Sequence, residues 1–126
     1  MTPEKEKELV KKTPNLFYSE DECRSQLPIN LFGVECDDGW FDLISDTLEK
    51  ISNIASSKEY ETKVDQIKEK YGTLRIYLNL ETEEMSKIIN EAVQKSEKTC
   101  ESCGNPGKLR QRNRWFYTSC NKCDLK

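Results

Sequence analysis

The sequence predicts an α+β fold: two amphipathic helices and a β-hairpin, followed by a C-terminal zinc ribbon held by four cysteines. Two segments carry apolar residues at helical spacing, and one segment alternates between apolar and polar residues, as half-buried helices and strands do. Two Cys-x2-Cys pairs near the end of the chain predict the ribbon. We therefore divide the chain into a charged N-terminal arm (1–13), an α+β body (14–98) and a ribbon (99–126).

The composition is that of a small, polar globular protein. Of the 126 residues, 35% are hydrophobic and 34% are charged, so the expected core is modest. No apolar run approaches the roughly 18 residues of a membrane span, and the charged start of the chain lacks the apolar segment of a signal peptide. We therefore expect a cytoplasmic protein, in a reducing compartment that favours thiolate ligands over disulfides.

The first 36 residues give weak structural signals. Thr2-Pro3 predicts a helix start, but only Leu9 and Val10 are apolar in the charged segment that follows. We therefore expect a loosely held helix that ends at Thr13-Pro14. Residues 15–36 have neither a helical nor a strand period and predict a long ordered loop. Its expected apolar anchors are Leu16, Phe17, Leu31 and Phe32.

The strongest helix prediction covers residues 39–55, with Asp37-Asp38-Gly39 as its cap. One face of this helix is apolar at 100° per residue, which predicts the buried side. The predicted buried residues are Trp40, Leu43, Ile44, Thr47, Leu48, Ile51, Ile54 and Ala55. The predicted outward residues are Asp38, Asp42, Ser45, Asp46, Glu49 and Asn53.

Four of the outward residues form an acidic stripe: Asp38, Asp42, Asp46 and Glu49. Three interpretations of the stripe stay open. It is a solvated helix face, a protein-binding surface that meets a basic groove of a partner, or a Mg²⁺ site of a nuclease.

A strand is predicted where Leu74, Ile76, Leu78 and Leu80 alternate with polar residues. The segment before it, around Tyr60 to Ile67, fits a helix or a strand, and Gly72 between the two favours a β-hairpin. Thr82 caps a second helix, which runs directly into Cys100. Its predicted buried stripe is Met85, Ile88, Ile89, Ala92, Val93 and Ser96.

The cysteine spacing predicts a metal site. Cys100 and Cys103 form one pair, Cys120 and Cys123 form the other, and sixteen residues separate the pairs. This spacing is typical of a zinc ribbon, in which four thiolates surround Zn²⁺ and leave no open position, so the metal is structural. The alternatives are two disulfides or unliganded thiols. Cys23 and Cys36 are each a buried apolar residue, half of a further disulfide or a reactive thiol.

Between the two cysteine pairs lies a basic and aromatic segment. Residues 98–126 carry a net charge of +5, which leaves −8 for residues 1–97. Cations that meet phosphates, together with an aromatic ring that stacks on a base, predict nucleic-acid binding, whereas the alternative is a solvated basic hairpin. We expect the hairpin to turn near residues 111–113 and so to break the alternation of the cations. The candidate nucleic-acid-binding residues are Lys108, Arg110, Arg112, Arg114, Trp115 and Tyr117.

Catalysis has little support in the sequence. The chain has no histidine, which excludes histidine-dependent triads, and its five glycines do not form a phosphate-binding loop. The remaining enzyme hypothesis is a Mg²⁺-dependent nuclease that uses the acidic stripe. We expect no enzymatic activity.

Three stretches together resemble a family of small bacteriophage and prophage proteins. They are Gly39 to Ile44, with a GWFxL motif, Val64 to Tyr77, with a KEK[FY]GxLR motif, and Cys100 to Arg110, with a CxxCGxPGxLR motif that a second CxxC closes. The resemblance covers roughly residues 14–123 and implies a bacterial host rather than a reaction.

From this setting and from the small size of the chain, we expect a non-catalytic accessory protein that binds and inhibits a host nucleic-acid-handling defence complex. An anti-CRISPR protein is one form of this function, directed at an RNA-guided RNase or at its guide RNA. The alternatives are a stand-alone nucleic-acid-binding ribbon for phage replication or transcription, and the nuclease described above.

Overall fold

The fold is α+β, which confirms the predicted class. The computed structural model describes residues 1–18 and 27–124, so Cys23 lies outside the described residues. The α-helices are α1 (Pro3–Lys12), α2 (Pro28–Phe32), α3 (Phe41–Ser57), α4 (Glu83–Ser96) and α5 (Asn121–Asp124). The strands are β1 (Val34–Glu35), β2 (Val64–Lys70), β3 (Thr73–Leu78), β4 (Lys108–Arg112) and β5 (Trp115–Ser119).

A three-stranded sheet with the order β1-β2-β3 forms the centre of the body. β1 runs parallel to β2, and β2 and β3 form the predicted antiparallel hairpin. Tyr71 and Gly72 make its two-residue turn, with φ angles of 53° and 82°, as tight hairpin turns require. Leu74 and Ile76 are buried, whereas Leu80 lies beyond the strand and is exposed. α4 packs on β3 and on α3.

Helix α3 has the buried face that the sequence predicts, and a short 3₁₀ turn at Asp38–Trp40 precedes it. Trp40, Ile44, Leu48 and Ile51 are fully buried. The prediction that Ser45 faces outward is wrong. Its side chain is buried and its hydroxyl lies 3.2 Å from Nζ of Lys12, because α1 packs against this part of α3.

The N-terminal arm is docked on the body, so the expectation of a loosely held helix is wrong. Leu9 is only 1% exposed. The backbone N–H of Val34 donates to the carboxylate of Glu6 at 2.9 Å, and the N–H of Thr2 donates to Asp38 at 2.9 Å. One buried leucine and hydrogen bonds to Val34, Asp38 and Ser45 therefore hold a helix in which seven of the ten residues are charged.

The segment from residue 15 to residue 36 contains regular structure where an irregular loop is predicted. Its described part includes α2, which Pro28 starts, and β1, and a short 3₁₀ turn at Pro14–Leu16 precedes the loop. These elements are too short to show a sequence period. Leu16 is buried and Phe17 is half-buried, but Leu31 and Phe32 are 59% and 65% exposed. The prediction that these last two residues anchor the loop is wrong.

Helix α4 leads the chain into the ribbon. The side chain of Thr82 accepts a hydrogen bond from the N–H of Met85 at 3.2 Å, which confirms the predicted cap. At the other end, the hydroxyl of Ser96 accepts a hydrogen bond from the N–H of Leu74 at 3.0 Å. This bond ties the end of α4 to β3 only four residues before Cys100. None of the helices in residues 1–18 and 27–124 has the length and apolar character that crossing a membrane requires.

Candidate metal centre and ribbon surface

Four cysteines from two separate turns form one cluster. The Sγ atoms of Cys100, Cys103, Cys120 and Cys123 all lie within 4.8 Å of one another, and those of Cys103 and Cys120 are 3.6 Å apart. A Zn²⁺ ion with four bonds of about 2.3 Å places its sulfur ligands roughly 3.8 Å apart, so the cluster fits such an ion. The cysteines in the described residues are free thiols. The four cysteines therefore do not form the two disulfides of the alternative interpretation.

Local backbone geometry builds the two cysteine turns. In the first turn, the N–H of Cys100 donates to the carbonyl of Asn105 at 2.8 Å, and the N–H of Gly104 donates to the carbonyl of Cys100 at 2.9 Å. Gly104 has a φ of 84°, a left-handed conformation that favours glycine. In the second turn, which opens α5, the N–H of Cys123 donates to Sγ of Cys120 at 3.3 Å.

The thiols of the cluster differ in acidity. The hydrogen bond from the backbone N–H of Cys123 lowers the pKa of Cys120 to about 6. The pKa of Cys123 rises to about 12, chiefly because its thiol is hydrogen-bonded to Cys120. Thiolate is the form that binds metal, and the second turn therefore stabilises one ligand in its binding form.

The first cysteine turn packs on the start of α3. The N–H of Gly39 donates to the carbonyl of Glu101 at 2.7 Å, and Nε1 of Trp40 donates to the carbonyl of Thr99 at 2.8 Å. A Cβ atom at position 39 would lie 2.3 Å from the carbonyl oxygen of Cys100. Only glycine therefore fits at residue 39 with this packing.

The turn of the body hairpin makes a second contact with the ribbon. The hydroxyl of Thr118 donates to the carbonyl of Gly72 at 2.7 Å, and this bond is buried. A Cβ atom at Gly72 would lie 2.6 Å from Cδ1 of Leu109. The ring of Tyr71 meets the ring of Phe116 edge-on, with centroids 6.5 Å apart. We call the two contacts together the joint.

The joint brings together the three motifs on which the family resemblance rests. Gly39-Trp40, Tyr71-Gly72 and Cys100–Gly104 come from three distant stretches of the chain and all take part in it. Sequence analysis placed Gly39 in the helix cap and Gly72 in the hairpin turn, but it predicted no contact with the ribbon for either glycine and assigned no role to Thr118. The glycines inside two of the motifs were the available signal for this close packing. A glycine in a sequence, however, does not show which part of the chain packs against it.

Strands β4 and β5 pair with a regular register. Asn113 and Arg114 form the two-residue turn, with φ angles of 50° and 69°. The turn comes later in the chain than predicted. The alternation of cations therefore continues to the end of β4, and the expectation that the turn breaks it is wrong for this strand. Lys108, Arg110 and Arg112 share one face of the hairpin, and Trp115 and Tyr117 lie on the same face, opposite Arg112 and Arg110. We call these five residues the outer ribbon face.

Part of the outer ribbon face is engaged inside the ribbon. Arg110 lies 3.2 Å from Asp124 and donates to the side chain of Asn121 at 2.8 Å, and Tyr117 donates to Asp124 at 2.7 Å. The hydrogen bond from Tyr117 lowers the pKa of the Asp124 carboxyl group. These bonds fix α5, which carries Cys123, against the hairpin. Arg110 and the hydroxyl of Tyr117 therefore support the second cysteine turn.

Other residues of this surface are open to solvent. Trp115 is 69% exposed, in contrast to the fully buried Trp40. The side chain of Arg112 is 65% exposed, lies 3.5 Å from Asp124 and covers the ring of Tyr117 at 5.9 Å. Lys108 and Arg114 are exposed as well. An accessible indole thus stands among three accessible cations.

The four carboxylates of the acidic stripe do not line one common site. Asp38 and Asp42 border a cleft of about 510 Å³ beside the first cysteine turn. Asp46 and Glu49 border a separate groove of about 250 Å³ between α3 and α4. Within the described part of the chain, the four cysteines are the one group of three or more ligand-type side chains close enough to share a metal ion.

Cys36 is a buried thiol. It is 6% exposed, and burial raises its pKa to about 12, with a further contribution from the carboxylate of Glu101. It lies outside the cluster of four. Of the three interpretations given for it, the buried apolar residue is the one that fits.

Comparisons of this chain with protein-family models, with curated proteins and with solved structures gave no significant match. The resemblance to phage proteins therefore stays a prediction.

Proposed function

We propose that this chain is a non-catalytic binding protein in which a structural Zn²⁺ holds a ribbon against the body. Four cysteine ligands within 4.8 Å of one another support a thiolate-bound metal. Zinc favours four such ligands in a closed tetrahedron, and a closed site has no position for a reacting water. The metal then supplies folding free energy and no chemistry.

The ligand of the ribbon is nucleic acid. The observation that carries this proposal is the arrangement of Lys108, Arg112 and Trp115 on one accessible face, with Arg114 in the adjoining turn. Cations of this kind neutralise phosphates, and an exposed aromatic ring offers a surface for a base. The net charge of +5 on residues 98–126, against −8 on the rest, directs a polyanion to this end of the molecule.

The biological role that we propose is inhibition of a host nucleic-acid-handling defence complex, or capture of its guide RNA, in the cytoplasm of a bacterium. The family resemblance supports the setting. The acidic stripe supports a protein contact, because Asp42, Asp46 and Glu49 are exposed on one side of α3 and a basic groove is their electrostatic complement.

Binding to labelled single-stranded RNA, hairpin RNA and duplex DNA tests the ligand class. With three phosphate contacts, single-strand affinity should fall roughly 20-fold between about 50 and about 200 mM salt. The variant Lys108→Glu/Arg112→Glu/Arg114→Glu should lose binding while it keeps one metal ion per chain. Binding that survives this change places the ligand elsewhere and overturns the proposal.

A matched control reverses three exposed lysines outside the ribbon: Lys7→Glu, Lys50→Glu and Lys87→Glu. It changes the net charge by the same amount, so equal losses in both variants indicate a general charge effect rather than a ribbon site. A pull-down from bacterial lysate then separates the inhibitor from a stand-alone nucleic-acid-binding ribbon, which needs no host partner.

A further inference from the structure

The two tryptophans have opposite environments. Trp40 is fully buried and donates its indole N–H to Thr99, so it has a structural role. Trp115 is 69% exposed at the end of the ribbon hairpin, next to the Asn113-Arg114 turn. The ribbon contacts the body through its other face, which carries Leu109, Phe116 and Thr118. The fold therefore does not require an indole at position 115.

Two cations adjoin the exposed indole, and a third lies farther along the same face. Arg112 pairs with Trp115 across the hairpin, and Arg114 precedes Trp115 in the turn. Lys108 lies at the far end of β4, about 13 Å from Arg112 at the usual rise of a strand. A nucleic-acid strand that crosses this face can thus place one base on Trp115 while the phosphates on either side of that base bind the cations.

The number and position of these groups favour an unpaired strand over a duplex. Bases in a duplex are stacked on one another, so an exposed indole can stack only on an unpaired or displaced base. Binding through duplex phosphates alone grows with the number of cations that neutralise them, and this face offers only Lys108, Arg112 and Arg114. A long, rigid duplex would also extend beside a body with a net charge of −8.

We propose that the ribbon binds unpaired RNA or DNA, with one base stacked on Trp115 and the neighbouring phosphates on Lys108, Arg112 and Arg114. This inference rests on the nucleic-acid function proposed above and specifies its ligand. Arg110, whose side chain is only 16% exposed, and the Tyr117 hydroxyl hold Asp124, act by positioning α5 and are not direct contacts. Arg112 also lies 3.5 Å from Asp124, but its side chain is 65% exposed and accessible to a phosphate.

Tryptophan fluorescence tests the inference on the zinc-loaded full chain. The probes are oligouridine RNA, oligothymidine DNA of the same length, and each strand annealed to its complement. Because Trp40 is buried, quenching by a bound base reports on Trp115. We expect quenching with both single strands and little with the duplexes, and the Trp115→Phe variant should lack the signal.

Affinities measured by anisotropy of labelled strands make the test quantitative. Trp115→Ala should weaken single-strand binding by about 5- to 150-fold, the usual range for loss of one stacked base. Trp115→Phe should recover part of this loss. If both variants contain as much metal as the unmodified chain, the ribbon is folded in both.

The outcomes separate this inference from the proposed function. If no strand binds, paired or unpaired, the nucleic-acid function itself is overturned. If duplexes bind as tightly as single strands, or if Trp115→Ala binds normally while the Lys108/Arg112/Arg114 variant does not, the function stands and the stacking inference is overturned. A difference between the RNA and DNA arms identifies which unpaired strand the face prefers.

Discussion

The body and the ribbon are stabilised by different interactions. Within residues 1–18 and 27–124, the apolar core extends from Leu9 to Ala92 and includes no ribbon residue. The buried residues of the ribbon are polar or are cysteines, namely Cys100, Thr118, Ser119 and Cys120. Burial of apolar surface stabilises the body. The ribbon has no comparable core, and the proposed Zn²⁺ would supply folding free energy in its place. A small module can thus fold on a larger one with little apolar surface of its own.

The joint links these two regions mainly through hydrogen bonds and close backbone contacts, with one ring contact between Tyr71 and Phe116. Gly39 and Gly72 let carbonyl and amide groups of the ribbon approach the body closely. Hydrogen bonds from Gly39, Trp40 and Thr118 then fix the orientation. This arrangement predicts that damage to the metal site and damage to the joint have separable effects.

Removal of the metal should have the largest effect. Zinc-binding free energies of small structural sites are about 10–16 kcal/mol near neutral pH, so chelation or Cys103→Ser should unfold the ribbon and leave the body folded. Amide resonances of residues 99–124 should collapse to random-coil positions while those of α3, α4 and the sheet persist. Cys36→Ala, which removes a cysteine outside the cluster, should keep one metal ion per chain. If chelation unfolds the whole protein, the body does not stay folded without the metal, and the prediction is contradicted.

Gly39→Ala should have the next largest effect. The new methyl group would meet two carbonyl oxygens at 2.3 Å, and backbone has little freedom to move away. We expect a loss of about 3 kcal/mol or more in the free energy of unfolding, at the upper end for overpacked sites. Urea denaturation measures this loss. Ser102→Ala, at an exposed position in the adjacent cysteine turn, should change stability by less than about 0.5 kcal/mol.

Thr118→Val tests the second contact of the joint. It preserves the shape of the side chain but leaves the buried carbonyl of Gly72 without its 2.7 Å hydrogen bond. An unsatisfied buried acceptor costs about 1–3 kcal/mol, and the four cysteines are untouched. We therefore expect lower stability with unchanged metal stoichiometry. Loss of the metal in this variant would show that the joint and the metal site are not separable.

Thiol reactivity should compare the ribbon and the body at single cysteines. In a Cys23→Ser background, chelated protein at pH 8 should expose four ribbon thiols to an alkylating reagent. The fifth thiol, Cys36, should stay unmodified, because it is 6% exposed and burial raises its pKa to about 12. Mass spectrometry counts the modified cysteines over time. Five fast modifications would mean that the body opens together with the ribbon.

Local patterns predicted the parts of the molecule that depend on neighbouring residues. Thr82 caps α4 because its hydroxyl reaches an N–H three residues ahead. The buried face of α3 follows from helical spacing, although α1 covers Ser45 on its polar side. The cysteine cluster follows from spacing too, since each Cys-x2-Cys turn places two thiols on one side of the backbone.

Contacts between distant residues were not predicted. The sequence near Leu9 gave too little apolar signal to dock α1, yet one fully buried side chain and the bonds of Thr2 and Glu6 hold it. The pairing of Arg110 with Asp124 likewise depends on how α5 folds back on the hairpin. Neither contact produces a periodic pattern of residues, so it cannot be recognised within a short stretch of the sequence.

The sequence by itself determined the α+β class, the faces of α3 and α4 and the four cysteines, because periodicity, capping and ligand spacing act within a few residues. The tertiary structure alone decided that the three motifs meet at one joint. It also decided that Arg110 and Arg112 both lie beside Asp124, with the side chain of Arg110 16% exposed and that of Arg112 65% exposed on the side of Trp115. These properties depend on the approach of chain segments far apart in sequence, and that approach is set by the packing of the whole molecule.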